Sequence, residues 1–142
     1  MNRLTKGKAL VGALGVDGEI TADDFNNMSV TFTVGTEATN AINVAMQFKD
    51  GNGADLAERK AVNWWLASNA AGDAIAAAPS SGIAIGTDGT LIESVTNVSG
   101  ILITEADGEA DVTLTDNTTG TWHLVVQLPN GSLAVSGAIT FA

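Results

Sequence analysis

The sequence predicts an all-β protein: an antiparallel two-layer β-sandwich over residues 28–142, preceded by an extended N-terminal arm over residues 1–27. Three observations carry this. About eight or nine short stretches alternate apolar and polar residues between turns bearing Gly, Asn or Asp, which is how strands of an antiparallel sandwich read. No strand–helix–strand repeat occurs, so a parallel sheet with covering helices is not expected. The composition agrees, with 45% apolar residues, 15% charged and 16 glycines in 142 residues, which is enough chain for one domain with a substantial core.

The clearest element is the last, Gly120 to Ala142. Trp122, Leu124, Val126 and Leu128 share one parity, and Thr121, His123 and Gln127 share the other. Pro129-Asn130-Gly131 then turns the chain into a second apolar run ending at Phe141, a hairpin pattern with one face buried and the other turned to water or to a neighbour.

Residues 1–27 open the chain with a basic start and a small-residue apolar patch. Thr21 to Asp24 has a capping pattern, so one helical turn over Ala22 to Asn26 fits; the rest reads as extended. Two readings stay open, a frayed terminus and an arm that orders on a partner. The apolar run Ala9 to Leu14 is interrupted by Gly12 and falls short of a secretory leader. No later run approaches the ~20 apolar residues of a membrane-spanning helix.

Met28 to Gly35 places Val30, Phe32 and Val34 on one face. Ala41 to Lys49 does the same with Ile42, Val44, Met46 and Phe48. Asp50-Gly-Asn-Gly53 is a turn. In the next strand, Lys60 to Ser68, the series Val62, Trp64, Leu66 is the more apolar, which sends Trp64 to the core and Trp65 outward. An outward Trp65 is either covered by a loop or the arm, or it contacts another protein. The alanine-rich Asn69 to Ser81 reads as an irregular crossover between sheets. Strands are then expected at 82–86, 90–97, 101–104 and 109–115.

Charge and composition exclude several functions. The net charge is −10, and no basic residue follows Lys60, so the folded part repels nucleic acid phosphates. The absence of cysteine removes disulfides, thiolate metal sites and thiol nucleophiles, and leaves the redox compartment open. His123 is the single histidine and reads as a solvated or hydrogen-bonded strand residue. No nucleophile elbow, phosphate-binding loop or dinucleotide motif is present. Glu105, Asp107, Glu109 and Asp111 raise a calcium question, although Asp107-Gly108 more naturally forms a turn. Asp50 to Asp55 has acidic ends without EF-hand spacing. The residues therefore predict no enzyme, no cofactor and no metal.

Phe48 to Leu66, FKDGNGADLAERKAVNWWL, resembles an element of bacterial immunoglobulin-like domains of the invasin kind, and Ala106 to Val126 resembles their later part. That likeness implies an immunoglobulin-like antiparallel β-sandwich, with Trp122 near a position often held by tyrosine. More narrowly, the basic arm, the strand through Trp64 to Leu66, Pro79 to Glu93 and the ending LPNGSLAVSGAITFA resemble the capsid decoration, or cement, proteins of tailed bacteriophages. The resemblance implies a virion protein on the outer capsid surface, bound to the major capsid protein and to other copies of itself. Its expected contacts are Arg3, Lys6 and Lys8 as charges, Leu4, Leu10, Val11 and Leu14 as apolar anchors, and Trp65. The alternative is an adhesion or carbohydrate-binding module of a phage fibre, a phage tail or a bacterial surface protein.

Overall fold

A computed structural model describes residues 27–142. They form ten strands: β1 (Ser29–Val34), β2 (Ala41–Lys49), β3 (Ala61–Ala67), β4 (Ile83–Ile85), β5 (Thr90–Val95), β6 (Ser99–Ile103), β7 (Glu109–Thr115), β8 (Gly120–Gln127), β9 (Leu133–Val135) and β10 (Ile139–Phe141). Sheet one has the order β1-β2-β7-β4. Sheet two has the order β10-β8-β3-β6-β5, with β9 also on β8. Every pairing is antiparallel. No helix among the described residues is long and apolar enough to cross a membrane.

The architecture is an immunoglobulin-like sandwich. β1, β2, β7 and β4 stand where that fold has strands A, B, E and D, and β3, β8 and β9/β10 stand at C, F and G. The β5–β6 hairpin extends the second sheet beyond β3, but it follows β4 in the chain instead of preceding it.

Alternation explains the core. Val44 is opposite both Val34 and Val112, and Ile42 is opposite Leu114, so one parity of sheet one faces inward. Trp64, Leu66, Leu102, Leu124 and Val126 close on it from sheet two, each at most 1% exposed. Trp64 and Trp122 both belong to this single cluster, as the parity of their strands predicts. The Trp122 indole N–H donates to the Ala77 carbonyl at 2.8 Å, and the ring meets Phe141 edge-on at 5.8 Å. The Trp64 indole nitrogen is buried and has no hydrogen-bond partner.

Several local expectations change. The helical turn over 22–26 lies outside the described residues, as does the arm apart from Asn27. The strand expected over 90–97 ends at Val95, and the one expected over 101–104 starts at Ser99. The bulge between Glu93 and Val95 sits beside Gly100, where a side chain would collide with the Ile92 carbonyl oxygen. The closing apolar run splits in two: β9 pairs with the second half of β8 and β10 with its start, along the same edge.

The segment between them, Ser136 to Ala138, decides between the two readings of His123 in favour of the hydrogen-bonded one. Ser136 accepts the His123 Nδ1–H on its carbonyl at 3.1 Å and the Leu124 amide on its hydroxyl at 2.9 Å, and His123 is 9% exposed. The ring is a buried hydrogen-bonded strand residue, its tautomer set by a carbonyl that can only accept.

Candidate docking face

The outer face of sheet two carries uncharged side chains in successive continuous rows across its strands. Strand register aligns Ile92, Ile101, Asn63, Gln127 and Leu133 side by side across five strands. A second row holds Val95, Ser99, Trp65, Val125 and Val135, and a third holds Thr90, Ile103 and Ala61. None of these side chains carries a charge, in a domain where residues 27–142 hold three basic and twelve acidic side chains. Ile92, Val95, Ile101 and Leu133 are 47%, 55%, 39% and 39% exposed.

Half of the second row is already covered. After β3 the crossover curls over the face: Gly72, at φ 78°, lies against Val125 and Val135, where a Cβ would be 2.9 Å from Val135 Cγ2. Val125 is fully buried as a result. The Gly72 carbonyl accepts the indole N–H of Trp65 at 2.8 Å, so this tryptophan is half-buried and its polar atom is already partnered. Loop cover, one of the two readings of Trp65, is present. The remaining rows stay open around Asn63 and Gln127, whose amides meet at 3.3 Å. Two shallow depressions share that pair. One of about 410 Å³ runs toward Ala61, Ile101 and Pro129, and one of about 300 Å³ runs toward Trp65, Ser94 and Ser99.

Sheet one has a different exterior. Asp111, 9% exposed, accepts the amides of Thr87 and Asp88, each at 2.7 Å, and the Asn43 side-chain amide at 2.6 Å. Burial pushes its carboxyl up, but the Asp88 amide, the Asn43 amide and both Thr87 donors together outweigh that and hold it below the usual 3.8. Asp116, 1% exposed, is likewise held low, first by the Ser80 hydroxyl against the upward push of burial, then by the Ser80 amide and by Thr118. Both carboxylates are spent on pinning loops.

The acidic series does not converge. Glu105 pairs with Arg59 at 2.7 Å, Asp107 accepts the Glu109 amide at 3.2 Å, and Asp111 faces the 86–88 loop. In the other acidic turn, Asp50 accepts the Asn52 and Ala54 amides, while Asp55 pairs with Lys49. Among the described residues no three acidic or histidine side chains group so as to hold a metal ion.

Of the residues expected at a partner interface, Arg3, Leu4, Lys6, Lys8, Leu10, Val11 and Leu14 lie outside the described residues, and Trp65 lies at the margin of this face. Ile92, Ile101, Asn63, Gln127 and Leu133 were not anticipated. A signal was present: Leu91-Ile92 and Ile101-Leu102-Ile103 are apolar on both parities, which a half-buried strand does not need. No protein-family model matches the chain, and no curated protein is significantly similar to it.

Proposed function

We propose that the protein is a structural virion component that docks on the major capsid protein lattice at the outside of a phage head and reinforces it. The observation that carries this reading is the uncharged face of sheet two on a strongly acidic body. Interface cores are depleted of charge because each buried ion must be stripped of water, and apolar side chains at 39–55% exposure gain from being covered. The open part of the face is roughly 19 Å by 15 Å from strand spacing and rise, or about 300 Å². A stable interface takes about 800 Å² per partner, so the face supplies under half. The arm, with Arg3, Leu4, Lys6 and Lys8, is the natural source of further contact. The family resemblance supports the same assignment and its location on the outer capsid surface. Saturation binding of the purified protein to undecorated capsids tests it, and absence of binding discards it.

A second reading draws on the two depressions around the Asn63–Gln127 amides beside Trp65. Amides, serine hydroxyls and an aromatic edge without charge suit a neutral sugar chain. A glycan array without hits removes this carbohydrate-binding alternative.

A further inference from the structure

The crossover that covers one end of sheet two also extends its outer face. Ile75 is bridged to Ala67, the Ala76 amide bonds the Leu66 carbonyl, and the Ser68 amide bonds the Ala74 carbonyl, so residues 74–76 run beside the end of β3. On its other side Ala67 faces His123 of β8, which puts this short segment in the column that β6 leaves after Ser99. Directly paired residues share a face, and Ala67 has the parity of Trp65 and Asn63. Ile75 therefore stands on the outer face, one row beyond Ser99 and Val95.

At 70% exposed, Ile75 is the most open large apolar side chain among the described residues. With it included, all five such exposed side chains of those residues, Leu133, Ile101, Ile92, Val95 and Ile75, lie on this one face. Single exposed apolar residues are ordinary, but a contiguous group is a contact surface in waiting.

Acidic side chains border the group. Glu93 lies between Ile92 and Val95 on β5, and Asp73 lies two residues before Ile75. Both are exposed, and their carboxylates accept from neutral donors, Glu93 from the Asn97 amide at 2.9 Å and Asp73 from the Asn69 side-chain amide at 2.6 Å. The three cations of residues 27–142 are engaged elsewhere, Lys49 with Asp55, Arg59 with Glu105 and Lys60 with Glu58.

We propose that the surface fitting this face is apolar at its centre and basic at its border, with Ile75 as the main apolar anchor and Asp73 and Glu93 opposite lysine or arginine side chains. This inference rests on the docking proposed above and specifies the capsid-protein surface that takes it. Ile75 has the most area left to bury, so it holds the complex. The two border acids steer it, because rim charges act on the rate of encounter and are screened by salt. A second copy of the chain fits poorly, since it would bring the same two acids and another strongly acidic body to the contact.

Real-time binding of the full-length protein to immobilised undecorated capsids at rising salt tests this. Association should slow at least about fivefold between about 50 mM and about 500 mM salt. Asp73→Asn with Glu93→Gln keeps both hydrogen-bond acceptors; it should slow association about threefold at low salt and flatten the salt dependence, with dissociation unchanged. Ile75→Ser should instead speed dissociation at least about tenfold without moving the melting temperature. An association rate that is constant or rises with salt, or an Ile75→Ser variant that dissociates as the unaltered protein does, overturns this inference and leaves the docking reading standing. Absence of binding by the unaltered protein at every salt concentration discards both. A dimer in sedimentation equilibrium that Ile75→Ser abolishes makes a second copy the occupant and also overturns the inference.

Discussion

The two sheets of this sandwich share a core but have opposite exteriors. On sheet one, the outer rows mix threonines and amides with the charged Lys49, Glu109 and Asp111, and their polar groups answer one another, as Asn43 does with Asp111 and Thr113. On sheet two, the corresponding rows are uncharged, and a side-chain hydrogen bond across β3 and β8 joins Asn63 to Gln127. The first exterior is satisfied by itself and by water. The second is covered at one end by the crossover and is left apolar at the other, which is why docking is assigned to it. Burial of Asp111 and exposure of Ile101 teach the same rule from opposite sides. A charge is taken out of water only where donors meet it, and apolar side chains left in water as one contiguous patch mark a candidate contact surface.

The largest effect should come from the self-satisfied side. Asp111→Ala leaves the Thr87 and Asp88 amides without an acceptor, and an orphaned buried donor costs about 1–3 kcal/mol. Urea unfolding should show a loss of about 3 kcal/mol; a loss under about 1 kcal/mol would mean that water replaces the carboxylate and that the two faces differ less than described.

Next is Ile101→Glu on sheet two. It should leave the melting temperature nearly unchanged and weaken capsid binding at least about tenfold, about 1.4 kcal/mol. Thr31→Glu on sheet one serves as the matched control and should bind as the unaltered protein does. Equal losses for the two variants would erase the distinction between the faces.

A smaller difference tests how the crossover over sheet two is held. Trp122→Phe gives up the bond to Ala77, whereas Trp64→Phe removes a buried donor that has no partner. Trp122→Phe should be the more destabilising by about 1 kcal/mol in thermal or urea unfolding. The reverse order would show that Trp64 is engaged in a way its surroundings do not reveal.

The smallest effect is acid sensitivity. Asp111 and Asp116 have folded-state pKa values below the ordinary 3.8. Their contribution is therefore complete above that value and is lost as pH falls through the lower folded values. Melting temperature should decline on acidification from about pH 4 to pH 3, and less steeply in Asp111→Asn, which lacks one of the two carboxyls. An identical pH profile for that variant would remove Asp111 from the account.

Much of the fold was legible because alternation in a sandwich is a strong constraint. A one-residue slip turns every side chain to the wrong layer, so Val44, Trp64, Leu124 and Trp122 could be placed from parity alone. The same reasoning left His123 between solvated and hydrogen-bonded and did not foresee the burial of Val125. Both lie on the outward parity of β8, and only the Gly72 loop, β9 and the 136–138 segment bury them. The docking face was illegible for a related reason. Ile92, Ile101, Asn63, Gln127 and Leu133 come from five strands, and nothing local says that β6 lies between β5 and β3.

What the residues decided by themselves was which side of each strand is dry, because side-chain alternation is a property of a single strand. What the tertiary structure alone decided was the order of strands within each sheet and the covering of outer faces by loops. Those depend on contacts between residues far apart in the chain, such as Trp122 with Ala77 and Asp111 with Thr87. An uncharged surface assembled from five separate strands exists only once that order is set.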